Sequence, residues 1–357
     1  MNRTHAALNH LDSRDGQLVI GDRTVAQHVA DAGTTPLYIY DRARIAARIA
    51  HLRTHLPAAV KLHYAVKANP HPSLLNFMAE HVDGFDIASS GELALARAAG
   101  ANPATISIAG PGKSRAELKA ALQHYVTVNA ESEREVFALA ELGVQLGVTP
   151  RVMLRINPDF ELKSSGMRMG GGPQPFGVDA ECAAAVLAKM RNLPLHFRGL
   201  HIYAGSQCLR HETLCESLAK TFDLAYRLKE QAGTAIETLN IGGGFGIPYF
   251  PGEHPLDIIP VAQRLQDKME EARARLGTIE VILELGRYLV GEAGYYVCEI
   301  IDKKISRGKT FLVTNGGLHH HLAACGRFGQ VIRRNYPVVI GNKIHAPDAA
   351  AVTVVGP

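Results

Sequence analysis

Between residues 61 and 285 the sequence alternates between short apolar runs and longer segments whose apolar residues recur at helical spacing. The runs are KLHYAV (61–66), GFDIAS (84–89), TISIAG (105–110), VTVNA (126–130), RVMLRI (151–156), RGLHIY (198–203), TLNIGGG (238–244) and EVILEL (280–285). Their near-continuous apolar character is that of parallel strands covered on both faces; a strand with one wet face would alternate. The segments between them, such as SRAELKAALQHY, ESEREVFALAELG and ETLCESLAKTFDLAYRLKEQAG, open with Ser, Asp or Glu and several close with Gly, as helix caps do. Eight strands alternating with helices predict an α/β fold, a parallel (β/α)8 TIM barrel. An open doubly wound sheet is the alternative that periodicity alone leaves. Beyond Glu284 the pattern changes to GYYVCEIIDKKI, KTFLVTNGG, YPVVIG and AAAVTVVGP, strands separated by turns, which predicts a second, antiparallel β domain. A strand QLVIGD, a helical stretch near 24–32 and the run TTPLYIYD precede the barrel. The expected division is 1–35 as an N-terminal segment contributing to the β domain, 36–285 as the barrel, and 286–357 as a β domain that stops straight after a strand-like run and reads as incomplete.

Composition excludes several classes. The charge is 38 minus 34, or +4, spread without basic blocks, so nucleic acid is not an expected partner. No uncharged apolar run approaches the roughly 18–20 residues of a membrane helix, and the polar start MNRTHAALNHLDSRDG has no leader pattern, so the cytoplasm is expected. The cysteines, Cys182, Cys208, Cys215, Cys298 and Cys325, are odd in number and form no CxxC pair, which argues against a disulfide framework or a thiolate zinc site. His319, His320 and His321 are consecutive and would point in different directions, so no metal is expected there.

In a barrel of this kind the chemistry lies where the strands end. Lys67 closes the first run, Asp86 lies on the second, Arg155 on the fifth and His201 on the sixth, which continues into AGSQ with Ser206. Gly242, Gly243 and Gly244 close the seventh; Glu284 closes the eighth, with Arg287 following. A lysine desolvated in a barrel mouth can have its pKa lowered, freeing the amine to condense with an aldehyde. Three glycines let backbone N–H groups approach a phosphate, with Ser206 and Arg287 to complete the cradle. An acid on the last strand can hold a ring nitrogen protonated. Together these match pyridoxal 5′-phosphate. The GxGxxG of a nicotinamide site, opening a helix after an early strand, is not found.

The motifs YAVKANP, FDIASSGEL, RINP, PFGV, HIYAGSQ, GGGFG and ELGRYLV, in this order, resemble the fold-type III pyridoxal-phosphate decarboxylases of the diaminopimelate and ornithine decarboxylase family. FELKSSGMRMGGG, GGGFGIPYFPG, ELGRYLVGEAG and FGQVIRRNYPV are similar to the exosortase A system-associated subgroup, which implies a link to exopolysaccharide production. The resemblance implies an alanine racemase-like barrel and an amino-acid decarboxylase that is a homodimer with shared active sites. It implies Lys67 as the cofactor-bearing lysine, Glu284 as partner of the pyridine nitrogen and His201 as the imidazole stacked on the ring. Gly242, Gly243, Gly244, Ser206 and Arg287 would form the phosphate site, with Asp86 and Arg155 near the lysine and cofactor. HIYAGSQ reads as two residues longer than the family's HIGSQ. The arginine and tyrosine that hold the far carboxylate in diaminopimelate enzymes have no clean counterpart in GRFGQVIRRNYPV, which leaves Arg333, Arg334 and Tyr336 as the candidate substrate contacts. The family's later Cys-containing, Asp-ending segment and Gly-Ala-Tyr segment, which supply a cysteine to the neighbouring subunit and a tyrosine to the cofactor, are absent from the sequence as given. Two alternatives stay open: an amino-acid racemase on the same scaffold, which would pair the ring nitrogen with arginine, and a non-catalytic pyridoxal-phosphate-binding homologue.

Overall fold

The computed structural model describes residues 11–163, 166–325, 336–345 and 350–357. The chain packs as two units, one formed by Ala46–Ile247 and Pro255–Val290, the other by Met1–Ile45, Pro248–His254 and Gly291–Pro357. In the first, all eight apolar runs form strands: β1 Val60–Ala65, β2 Gly84–Ile87, β3 Ile106–Ile108, β4 Thr127–Ala130, β5 Arg151–Asn157, β6 His196–Ile202, β7 Thr238–Asn240 and β8 Glu280–Leu285. Each pairs in parallel with the next, and β8 pairs with β1, so the sheet closes into a barrel.

Each strand is preceded by a helix: α1 Arg42–His55, α2 Pro72–Ala79, α3 Ser90–Ala98, α4 Arg115–Gln123, α5 Glu133–Leu146, α6 Ala180–Met190, α7 His211–Ala232 and α8 Ile259–Arg275. Serine side chains at 89, 114 and 132 accept the N–H of Glu92, Glu117 and Glu135 and so start α3, α4 and α5, while Gly147 and Gly233 end α5 and α7 in the left-handed region. Helix α1 was not anticipated; its apolar strip, Ile45, Ile49 and Leu52, continued by Leu56 just past its end, is buried but flanked by arginines.

Barrels of this type usually fill their interior with branched apolar side chains. Here the inward rows are largely polar. His63 stands in register with Glu284 on one side and Gly84 on the other, and Arg155 with His201 and then Asn240. Asp86, Ser107, Thr127 and Asn129 are also buried on β2, β3 and β4. The strand ends, and hence the site, are thus carried on rigid elements that reach the centre of the barrel.

The other unit is mostly antiparallel. Asp12–Arg14, Gln17–Ile20 and Arg23–Thr24 form a meander, Thr24 caps the helix Val25–Ala32, and Leu37–Tyr40 pairs with Gly294–Val297. Ile300–Ser306 and Lys309–Thr314 form a hairpin. Its core is Leu18, Ile20, Val25 and Ile39, with Tyr295, Val297, Val339 and Ile344 against it. Two details differ from expectation. The last run supplies Thr353–Val355, which joins Lys309–Thr314 in parallel, and YPVVIG forms no strand, its Val339 serving as a core residue from irregular chain. Among the described residues no helix is long and apolar enough to cross a membrane.

Candidate active site

Lys67 lies in the single turn Val66–Ala68 that follows β1, so the strand brings it to the C-terminal mouth of the barrel, where it is exposed. Deeper in, His201 on β6 and Glu284 on β8 are both buried, with His201 Nε2 3.4 Å from Glu284 Oε2. That approach lacks hydrogen-bond alignment: Glu284 Oε2 and both ring nitrogens of His201 are buried without a hydrogen-bond partner. Burial alone would push the Glu284 carboxyl up, but contact with His201 and the charges of Lys67 and Arg155 outweigh it and hold it down at about 2. A buried, ionised carboxylate with an open oxygen is costly unless it meets a donor. A protonated ring nitrogen is such a donor, and in this respect the residues present fit pyridoxal phosphate.

Asp86 and Arg155 are each held by neighbours that the sequence reading did not name. The Ser107 hydroxyl donates to Asp86 Oδ1, Asn129 Nδ2 donates to Ser107 Oγ at 3.2 Å, and His63 Nδ1 stands 3.5 Å from Asp86 Oδ2. Burial opposes charge on His63, yet Asp86, with Glu280 and Glu284 farther off, prevails and raises its pKa above the ordinary range. Arg155 Nη1 donates to Glu131 Oε1 at 2.7 Å and its guanidinium covers the Phe176 ring at 4.9 Å. Glu131 also accepts the N–H of Gly110 at 2.5 Å and of Gly177 at 3.1 Å, and beside it Lys113 Nζ lies 3.2 Å from Glu135 Oε2.

The glycine run closes β7 under tight constraint. Gly242 (φ +64) and Gly244 (φ +85) occupy the left-handed region, and a Cβ on Gly243 would lie 2.0 Å from the Glu284 carbonyl oxygen. The Gly242 N–H already donates to Asn240 Oδ1 at 2.8 Å, which leaves Gly243 and Gly244 as the backbone donors an anion could use. Ser206 lies in the short strand Gly205–Ser206, paired with Met167–Arg168, and the next residue, Gln207 (φ +61), clamps the glycine loop from both sides of its amide: Nε2 donates to Ile247 O and Oε1 accepts Ile247 N–H. Tyr203, which the sequence reading passed over, packs against Gly242, and burial pushes its phenol pKa up. Arg287 opens the turn Arg287–Val290 directly after β8. Tyr336 belongs to the other unit, its ring 5.2 Å from Tyr249 and 6.3 Å from His321, and Arg333 and Arg334 lie outside the described residues.

A cavity of about 160 Å³ opens at the opposite, N-terminal ends of the strands, lined by Lys61, His63, Arg151, Arg198 and Glu280 among others. None of the expected cofactor residues lines it. That end of a barrel serves stability rather than chemistry.

Comparison with known proteins places these observations. Residues 42–291 match the model of the pyridoxal-dependent decarboxylases, pyridoxal binding domain. The chain is 38% identical over 329 residues to the L-glutamyl-[BtrI acyl-carrier protein] decarboxylase of Niallia circulans, covering 90% of this chain and 77% of that protein. It is 34% identical over 315 residues to the diaminopimelate decarboxylase of Aquifex aeolicus, covering 87% and 73%. The crystal structure of diaminopimelate decarboxylase from Helicobacter pylori complexed with L-lysine superposes with a TM-score of 0.80 at 25% identity, covering 93% of this chain and 81% of that one.

Proposed function

The chain belongs to the pyridoxal-dependent decarboxylase family, and on that premise we propose that its barrel mouth decarboxylates an amino acid or an amino-acid-like substrate through Lys67, Glu284 and the residues around them. The observation that carries the reading is the buried Glu284 carboxylate with one oxygen lacking a partner at the end of β8. Pyridoxal phosphate, when bound, supplies an aldehyde that condenses with amines and a ring that draws electrons from Cα. Lys67 Nζ would be the amine that holds it and would be available as a base. Glu284 Oε2 keeps a proton on the ring nitrogen, an arrangement that favours loss of a carboxylate over racemisation, where an arginine would leave that nitrogen unprotonated. His201, with Nε2 3.4 Å from Glu284 Oε2, helps to hold that carboxylate ionised. Gly243 and Gly244 N–H, Ser206 and Arg287 would hold the phosphate, with Asp86 and Arg155 in the polar surroundings of the lysine and cofactor. The net change replaces a carboxylate by hydrogen at Cα, so the mouth must also deliver one proton per turnover.

The finer assignment of substrate rests on the relatives. One acts on a glutamyl group carried by an acyl-carrier protein, others on diaminopimelate. FELKSSGMRMGGG and FGQVIRRNYPV support membership of the exosortase A-associated subgroup and a role in exopolysaccharide-linked metabolism of the cytoplasm, by a homodimer with Arg333, Arg334 and Tyr336 contacting substrate. The test is release of CO2 by the protein with pyridoxal phosphate across free amino acids and carrier-bound aminoacyl thioesters, with borohydride trapping to locate the cofactor. Trapping on Lys67 and CO2 from one class of substrate are expected; trapping on another lysine, or inversion at Cα without CO2, would refute the reading.

A further inference from the structure

Resting on that reading, we propose that Tyr203, rather than His201, is the side chain that lies against the face of the pyridoxal ring. The two ends of the cofactor are set by Glu284 at the ring nitrogen and by the Gly243–Gly244 loop at the phosphate. Tyr203 is near both: its phenol lies in the fields of Glu284, Arg155 and Arg287, and Gly242 approaches it so closely that a Cβ there would meet Tyr203 Cδ2 at 2.6 Å. The start of the glycine loop therefore packs directly on the tyrosine ring. His201 is placed otherwise. It is 1% exposed, inside β6, with Nε2 turned to Glu284. Tyr203 follows directly after β6, and the rings of His201 and Tyr203 stand 6.4 Å apart at 77°, with the tyrosine past the strand end and partly exposed. A flat ring entering from the mouth meets Tyr203 first.

The motif arithmetic is independent of these contacts and agrees with them. Counted back from Gly205, Ser206 and Gln207, the position of the histidine in HIGSQ falls on Tyr203, so HIYAGSQ contains no insertion and His201 is an additional inner residue. The replacement changes the chemistry over the ring. An imidazole can bring a positive charge to the ring face; a phenol whose pKa burial has pushed up stays neutral throughout the working pH range and offers only its π face and a hydroxyl. His201 is then a positioning residue that acts through Glu284.

The experiment titrates the cofactor-free full chain with pyridoxal phosphate, reading the visible absorbance and the induced circular dichroism of the bound cofactor. Tyr203→Leu, which keeps apolar bulk but no π face, is expected to weaken binding about three- to tenfold, the range aromatic stacking is worth, and to alter the induced dichroism. Tyr203→Phe should recover both. His201→Gln should keep the dichroic band of the stacked ring but shift its absorbance, because Glu284 loses its neighbour. Wild-type affinity and dichroism in Tyr203→Leu, or loss of the dichroic band in His201→Gln alone, would overturn the inference. Borohydride trapping on wild-type Lys67 is scored separately: its failure would remove the cofactor reading itself, whereas trapping with an indifferent Tyr203 removes only this assignment. Far-ultraviolet dichroism of each variant shows that it has folded.

Discussion

At the scale of single residues, Glu284 concentrates the argument. Its carboxyl stays ionised because His201, Lys67 and Arg155 outweigh burial, and its Oε2 is left without a hydrogen-bond donor. Glu284→Gln keeps the shape and removes the charge. The cofactor should still bind, with the rate of CO2 release falling by a factor on the order of a hundred, about 3 kcal/mol in barrier; an unchanged rate would show that the ring nitrogen does not depend on this acid. Lys67 and Glu284 were legible in the sequence because each ends an apolar run inside a specific motif. Glu131, His63 and Tyr203 were not. A lone Glu after VTVNA reads as the start of a helix, a His within an apolar strand reads as core, and a Tyr after a His was absorbed into a supposed lengthening of the motif. What identifies them is the inward face they share, and that depends on the register of strands distant in sequence.

At the scale of elements, Glu131 joins four segments at the mouth: its own strand end, the Gly110 loop after β3, Arg155 on β5, and Gly177, the far end of the long excursion between β5 and α6. Removing its charge would strand Arg155 in a buried position, and breaking one side of such a pair costs about 3–5 kcal/mol. Glu131→Gln is therefore expected to lower the thermal midpoint and speed proteolytic cleavage between residues 158 and 177, while Glu131→Gln combined with Arg155→Met should recover part of the loss; equal cleavage in wild type and Glu131→Gln would show that the excursion is anchored elsewhere. The glycine run gives a sharper case. Gly243→Ala forces a Cβ into the Glu284 carbonyl, a contact of 2.0 Å with backbone that cannot rotate aside. The variant should lose cofactor affinity by at least about tenfold along with stability, a strain cost of about 1–3 kcal/mol, checked by titration with pyridoxal phosphate and by urea unfolding. Strands and most helices were legible from period and caps. Helix α1 was missed because its narrow strip of one apolar residue per turn is interleaved with four arginines, and the parallel pairing of Thr353–Val355 was missed because direction within a sheet is set by tertiary contacts, not by local pattern.

At the scale of the molecule, a barrel with ionisable groups in its interior must depend on pH in a way that an apolar barrel does not, and the sign follows from two of those groups. Glu284 has its folded pKa depressed from 4.5 to about 2, so its contribution is fully present above about 4.5 and is lost as pH falls toward 2. His63 has its folded pKa raised above 6.5, so its contribution is fully present below about 6.5 and is lost as pH rises through the folded value. Both are fully present between about pH 4.5 and 6.5, and the cofactor-free barrel should draw most stability from them there. The measurement is urea unfolding of wild type and His63→Gln from pH 5 to 9. The deficit of the variant should be greatest at the acid end and shrink as pH rises, because wild-type His63 then sheds the proton that Asp86 holds in place. Asp86→Asn should remove most of that dependence, since it withdraws the charge 3.5 Å away that outweighs burial. A deficit that stays flat or grows toward pH 9 would mean that His63 is buried neutral, and that the polar interior of this barrel is held by hydrogen bonds instead of charge.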